Sequence, residues 1–110
     1  MLTENTIRET ARTAANKYFN EVLGGRDQFA CGFAWVTVYP KHKGNTKLGR
    51  AERAELTKLG FSQDYNRTYQ MWNPSRMGCQ NVDTLYMGAL AAAAVMKEHG
   101  YDASAGSRLD

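Results

Sequence analysis

The stretch Met71–Asp83, MWNPSRMGCQNVD, gathers side chains that suit an anion. The indole of Trp72 comes first as a stacking surface. A proline-fixed turn follows with a hydroxyl, a guanidinium and amides at Ser75, Arg76, Gln80 and Asn81, and then a helix begins. A helix start carries unpaired amide donors and partial positive charge, so this turn reads as a phosphate cradle. The turn KHKGNT at 41–46 reads as a second one: Lys41, His42, Lys43, Lys47, Arg50 and Arg53 crowd together with Glu52 as the lone acid among them. Such groups supply charge-assisted hydrogen bonds. Neither turn has the glycine and lysine spacing of a Walker A loop or a dinucleotide fingerprint. Asp83, in the first turn of the helix after the first cradle, also answers the dipole there and would repel an anion unless Arg76 neutralised it. The resulting assignment is Lys43, Lys47, Arg50 and Arg76 for phosphates, Tyr69 and Trp72 for a base, and Ser75 and Gln80 for orientation.

Catalytic chemistry has less to stand on. His42 and His99 come without a nucleophile elbow, an HExxH pair or a Cys/His ligand spacing. The expectation is therefore no catalytic residue, no metal and no cofactor. Cys31 and Cys79 lie far apart in no paired spacing, which suits reduced thiols in a cytoplasmic protein. The N-terminal stretch lacks the apolar run of a signal peptide, and no run is long enough to span a bilayer, so a soluble cytoplasmic protein without membrane contact is expected.

These groups must be held by a scaffold of 110 residues, 43 % hydrophobic and carrying a net charge of +3. That size fits one domain, residues 1–110, with one core. A capping-box signal at Thr6 and Glu9 predicts a helix over 6–23, with Ile7, Ala11, Ala15, Tyr18, Phe19 and Val22 inward and Gly24–Gly25 as its stop. Phe29–Tyr39 predicts a strand, rich in rings and β-branched residues and ended by Pro40. Its alternation puts Phe29, Cys31, Phe33, Trp35, Thr37 and Tyr39 on one face and Ala30, Gly32, Ala34, Val36 and Val38 on the other. Small residues let a helix approach closely. Rings are usually core, so a central strand buried on both faces is the plain expectation, with a ring platform as the sharper alternative.

Thr46 caps a predicted helix over 47–59 with Leu48, Ala51, Leu56 and Leu59 inward. Residues 61–72 predict two short strands around a turn at Asn66–Arg67. Asn81 caps a third helix over 81–99, its stripe being Val82, Leu85, Tyr86, Ala89, Ala93 and Met96, and Gly100 closes it. The segment after it predicts a short edge strand. This order points to an α+β fold: a small mixed sheet of three to four strands packed against three α-helices as a two- or three-layer sandwich.

The elements CGFAWVTVYP at 31–40, NPS at 73–75, GCQNVD at 78–83 and GSRLD at 106–110 resemble a group of short accessory proteins encoded by tailed bacteriophages. The group attaches no activity to these positions, so no residue role carries over. The resemblance implies a counter-defence context, either blocking a defence protein or soaking up its nucleotide signal. Basic loops beside rings without a catalytic motif then lead to the expectation of a non-catalytic protein that sequesters a small phosphorylated ligand, such as a signalling nucleotide, in a pocket formed by homo-oligomer contacts. Two alternatives stand beside it. One is an inhibitor or adaptor that binds a host protein through Phe33, Trp35 and Tyr39; the other is a basic nucleic-acid-binding module using the stripe from Lys41 to Arg53.

Overall fold

The computed structural model describes residues 1–79 and 81–110. The chain runs α1 (Glu4–Glu21), β1 (Gly32–Tyr39), α2 (Lys47–Lys58), β2 (Ser62–Gln63), β3 (Tyr69–Trp72), α3 (Val82–Glu98) and β4 (Asp102–Leu109). The strands form one sheet in the order β2-β3-β1-β4, and every pairing is antiparallel. The fold is thus α+β as expected, but the sheet is not mixed. The β1-α2-β2 crossover skips one place and β3 fills it, so both neighbours of β1 run against it, which is a split βαβ arrangement.

Local chemistry explains most element boundaries. Thr46 and Asn81 cap α2 and α3, accepting from the amides of Gly49 and Thr84 at 3.0 and 2.8 Å. Gly60 and Gly100 follow α2 and α3 with φ of 93° and 88°, which glycine takes without a Cβ clash. Helix α1 begins earlier than its capping-box signal suggests. Its cap is Thr3, whose Oγ1 accepts from the Thr6 amide at 3.1 Å, while Glu9 accepts from the Asn5 side chain instead. A tertiary contact helps fix this start: Glu4 pairs with Arg8 at 2.8 Å and with Arg76 at 3.3 Å. Strand β1 starts at Gly32 rather than Phe29, because Phe29 has a φ of 67° and leaves the extended region. Cys31 lies before the strand and makes an isolated bridge with Asn81.

The core lies on one side of the sheet. Ala34, Val36 and Val38 of β1, Tyr69 and Met71 of β3 and Ala103 of β4 are buried with Leu85, Ala89, Ala92, Ala93 and Met96 of α3. Small faces small here: the alanines of α3 let the helix approach the alanine-bearing face of the sheet closely. Helix α1 packs beside α3 through Ile7 and Ala11, and Leu56, Leu59 and Phe61 from the α2 region close the same cluster. The result is two layers. Several residues expected inward lie outside it: Val22 and Leu48 are 61 % and 64 % exposed, Ala51 is exposed, and Tyr18 and Phe19 are half-buried, while Tyr86 packs half-buried against the core. Helix α2 buries only Gly49 and Leu56 within its length, so its first half projects away from the sheet.

Candidate functional site

The expected cradles do not converge. The turn at 41–46 leaves the Tyr39 end of β1, whereas the turn after Trp72 leaves β3 beside Trp35 and continues away from Tyr39. Strand rise alone puts about 13 Å between Trp35 and Tyr39, with the two turns beyond them at opposite ends. Lys43, Lys47 and Arg50 are exposed at the first end, and Trp72, Ser75 and Arg76 sit at the other. Gln80 lies outside the described residues.

Each cradle also holds a carboxylate of its own. Glu52 accepts from the amides of Lys41 and His42 at 3.0 and 3.1 Å, taking donors that a phosphate would need. The Lys43 carbonyl folds over the start of α2, where a Cβ at Gly49 would collide with it. Arg50 donates to the Asn45 carbonyl. At α3, Asp27 accepts from the Asn81 amide at 2.9 Å, and the Asn81 side chain accepts from the Thr84 amide and hydroxyl while donating to the Gln28 carbonyl. Ser75 is 1 % exposed and spent on its own turn: its hydroxyl bonds Asn73 Oδ1 and accepts from the Met77 amide. Arg76 reaches back to Glu4. Among the described residues, both turns thus spend several of their polar groups on internal bonds.

The base-stacking pair separates too. Tyr69 and Trp72 are three residues apart on β3, so they point to opposite faces. Tyr69 is 7 % exposed in the core, and Trp72 is 49 % exposed on the other side.

That other side is the site that sequence reasoning offered only as an alternative. The helices cover one face of the sheet and leave the ring face open. Phe33, Trp35 and Tyr39 of β1 stand on it, with Trp72 and Gln70 of β3 and Arg108 and Gly106 of β4. Phe33 and Tyr39 are 41 % and 45 % exposed, which replaces the expectation of a strand buried on both faces.

Backbone register builds the centre of this surface. Asn73 donates its amide to Ala34 at 2.9 Å and Asp110 donates to Cys31 at 3.0 Å, so even residues of β1 bond β3 and odd residues bond β4. Trp35 and Trp72 consequently form a pair without hydrogen bonds between them, the geometry in which opposed side chains come closest. Their rings lie 4.7 Å apart with a 32° tilt. On its other flank Trp35 lies flat over Gly106, where a Cβ would come within 2.7 Å of the indole. Phe33 meets Trp72 edge-on at 6.4 Å, and the Arg108 guanidinium stands 5.6 Å above the Phe33 ring. Gln70 accepts from Trp72 Nε1 at 3.1 Å and fixes the indole's direction.

At the Phe33 end of β1 a cavity of about 250 Å³ is lined by Cys31, Phe33, Ala34, Trp72, Asn73, Cys79 and Leu85. Both cysteines are free. Burial, and then the charge of Asp27, push the Cys79 thiol up, so it stays protonated and is a poor nucleophile near neutral pH. Among the described residues no cluster of three or more His, Cys, Asp or Glu could hold a metal, and no helix is long and apolar enough to cross a membrane. No protein-family model, curated protein or solved structure matches the chain.

Proposed function

We propose that the protein is a non-catalytic binding module whose open sheet face stacks the unpaired bases of a single-stranded nucleic acid. One observation carries the reading: the two central strands, β1 and β3, present Phe33, Trp35, Tyr39 and Trp72 on the face that the helices leave bare. Rings on the central strands of a four-stranded antiparallel sheet suit two or three splayed bases, since every base has a π-face. Arg108, above Phe33, supplies a cation at the height where a phosphate would run. Lys41, Lys43 and Arg67 lie in the two turns at the Tyr39 end and add positive charge there.

A flat, open face favours a polymer over a captured mononucleotide. Small ligands are held in cavities that cover most of their surface, whereas here the Lys41 and His42 amides already go to Glu52 and the Asn81 amide to Asp27. Sequestering a free signalling nucleotide is the weaker fit. The likeness to short tailed-phage proteins lends a setting for either reading and no residue.

Titration of the intrinsic tryptophan fluorescence with single-stranded homopolymers of DNA and RNA tests the reading. Quenching is expected, with a gentle salt dependence because few cations border the rings. Trp72→Ala should weaken binding roughly 5- to 150-fold, the equivalent of about 1–3 kcal/mol for one lost stack. Absence of quenching by every oligonucleotide at low salt would overturn it. That result would favour a protein partner instead, for which the closely packed Trp, Phe and Arg side chains have the composition of an interface hot spot.

A further inference from the structure

The outer edge of β4 is the second feature that the fold leaves unsatisfied. Because Asp110 bonds Cys31, the even residues of β4 turn their backbone toward β1, and Ala103, Ala105, Ser107 and Leu109 turn theirs outward. No partner for those outward amides and carbonyls exists among the described residues. Sheet edges are ordinarily blunted by proline, lysine, a bulge or a short strand. Strand β4 has none of these, its charges being Asp102 and Arg108 near its two ends: it is eight residues long, DASAGSRL, pairs with β1 in unbroken register and has no residue of positive φ.

We propose that this edge pairs with the same edge of a second copy, β4 against β4 in antiparallel register with Ala105 on the two-fold axis. The hydrogen-bonding phase requires odd residues of one copy to face odd residues of the other, which permits axes at residues 104, 105 and 106 near the middle of the strand. Charge then selects among them. An axis at 106 sets Asp102 against Asp110 of the other copy, and an axis at 104 leaves Asp102 and Arg108 both without an opposite charge. An axis at 105 sets Asp102 directly opposite Arg108 twice, once on each side of the dyad. Both side chains lie on the ring face, and neither is in an ion pair within the chain among the described residues. A cross-strand pair of opposite charge favours a register, and like charges oppose it. Such a two-fold interface is self-complementary and closed, so it stops at two copies. The axis stands perpendicular to the joined sheet, so the two ring faces lie side by side on one continuous surface. The pairing rests on the β4 edge and its charges and not on what the surface binds; Arg108, which also stands over Phe33, is the residue the two readings share.

Sedimentation equilibrium of the full chain at micromolar concentrations tests it. A mass of twice 12.3 kDa is expected; a monomer across the whole range overturns the proposal. Ala105→Pro removes an outward amide and should leave a folded monomer by circular dichroism. If it stays a dimer, the edge is not the interface. Should that variant fail to fold, a charge exchange reads the same contact. Asp102→Arg and Arg108→Asp alone should each raise the dimer Kd about tenfold or more, and the two together should return it to near the original value. Single exchanges that dimerise like the original chain, or a double exchange that restores nothing, refute the register.

Discussion

Gly106→Ala separates the geometry of the ring face from the stability of the fold. A methyl group at 106 would stand 2.7 Å from Trp35 Cε2 and Nε1 and 2.8 Å from Cζ2. Carbon contacts are at rest near 3.5–4.0 Å, so the indole must retreat by about 1 Å. Retreat disturbs its contact with Trp72, now at 4.7 Å, and an aromatic pair of this kind contributes about 0.5–1.5 kcal/mol beyond its buried area. The same substitution removes a flexible residue from the unfolded chain, which returns about 0.4–1 kcal/mol because the backbone of residue 106 is not left-handed. The two effects oppose each other, so urea denaturation should show a net loss below about 1 kcal/mol. The tryptophan signals should change much more. The exciton band that two touching indoles give in circular dichroism should weaken, and oligonucleotide affinity should fall with it. An unaltered exciton band, or a full gain of about 1 kcal/mol with binding unchanged, would show that Trp35 does not rest on residue 106.

Three other outcomes follow from single contacts. Thr3→Ala should cost about 1 kcal/mol in urea denaturation because it removes the cap of α1; no loss there, with a loss at Thr6→Ala larger than that, would move the helix start. Asn81→Ala should cost about 2 kcal/mol or more, since it deletes a buried cap and strands the Gln28 carbonyl; a cost under about 0.5 kcal/mol would contradict the network. Burial, then the charges of Glu55 and Glu52, raise the Tyr101 phenol above its usual range. Its folded pKa exceeds its unfolded one, so its contribution is whole below about pH 10 and is lost as pH rises through the folded value. The melting temperature should therefore fall more steeply with alkaline pH in the original chain than in Tyr101→Phe, and equal slopes would exclude the effect.

How far the sequence could be read depended on the range of the cause. Thr46 and Asn81 announced their helices because a cap bonds an amide three residues on. Thr6 misled because Thr3 precedes it by one turn, and the choice between them is influenced by Arg76, distant in sequence, through Glu4. The small and ring faces of β1 were legible as two sets, and the alanines of α3 hinted that small would meet small. Which set faced water depended on both long helices lying on one side, a property of the whole chain. The anion cradles failed for a similar reason. Lys43 and Arg76 are separated by the order of the strands, and the carboxylates that fill the turns come from Glu52, a helical turn into α2, and from Asp27, distant in sequence.

The central strand also sets the pace at which this molecule can assemble. β1 meets both of its neighbours late: Trp35 pairs with Trp72, and Gly32 waits for Leu109. Contacts so distant along the chain close slowly, because the entropy of a long loop is spent before any pairing rewards it. Until then β1 carries two bare edges and a row of uncovered rings, the kind of segment that associates with its own kind in a crowded solution. Refolding yield should therefore depend on concentration more sharply than the stability of the finished fold would suggest.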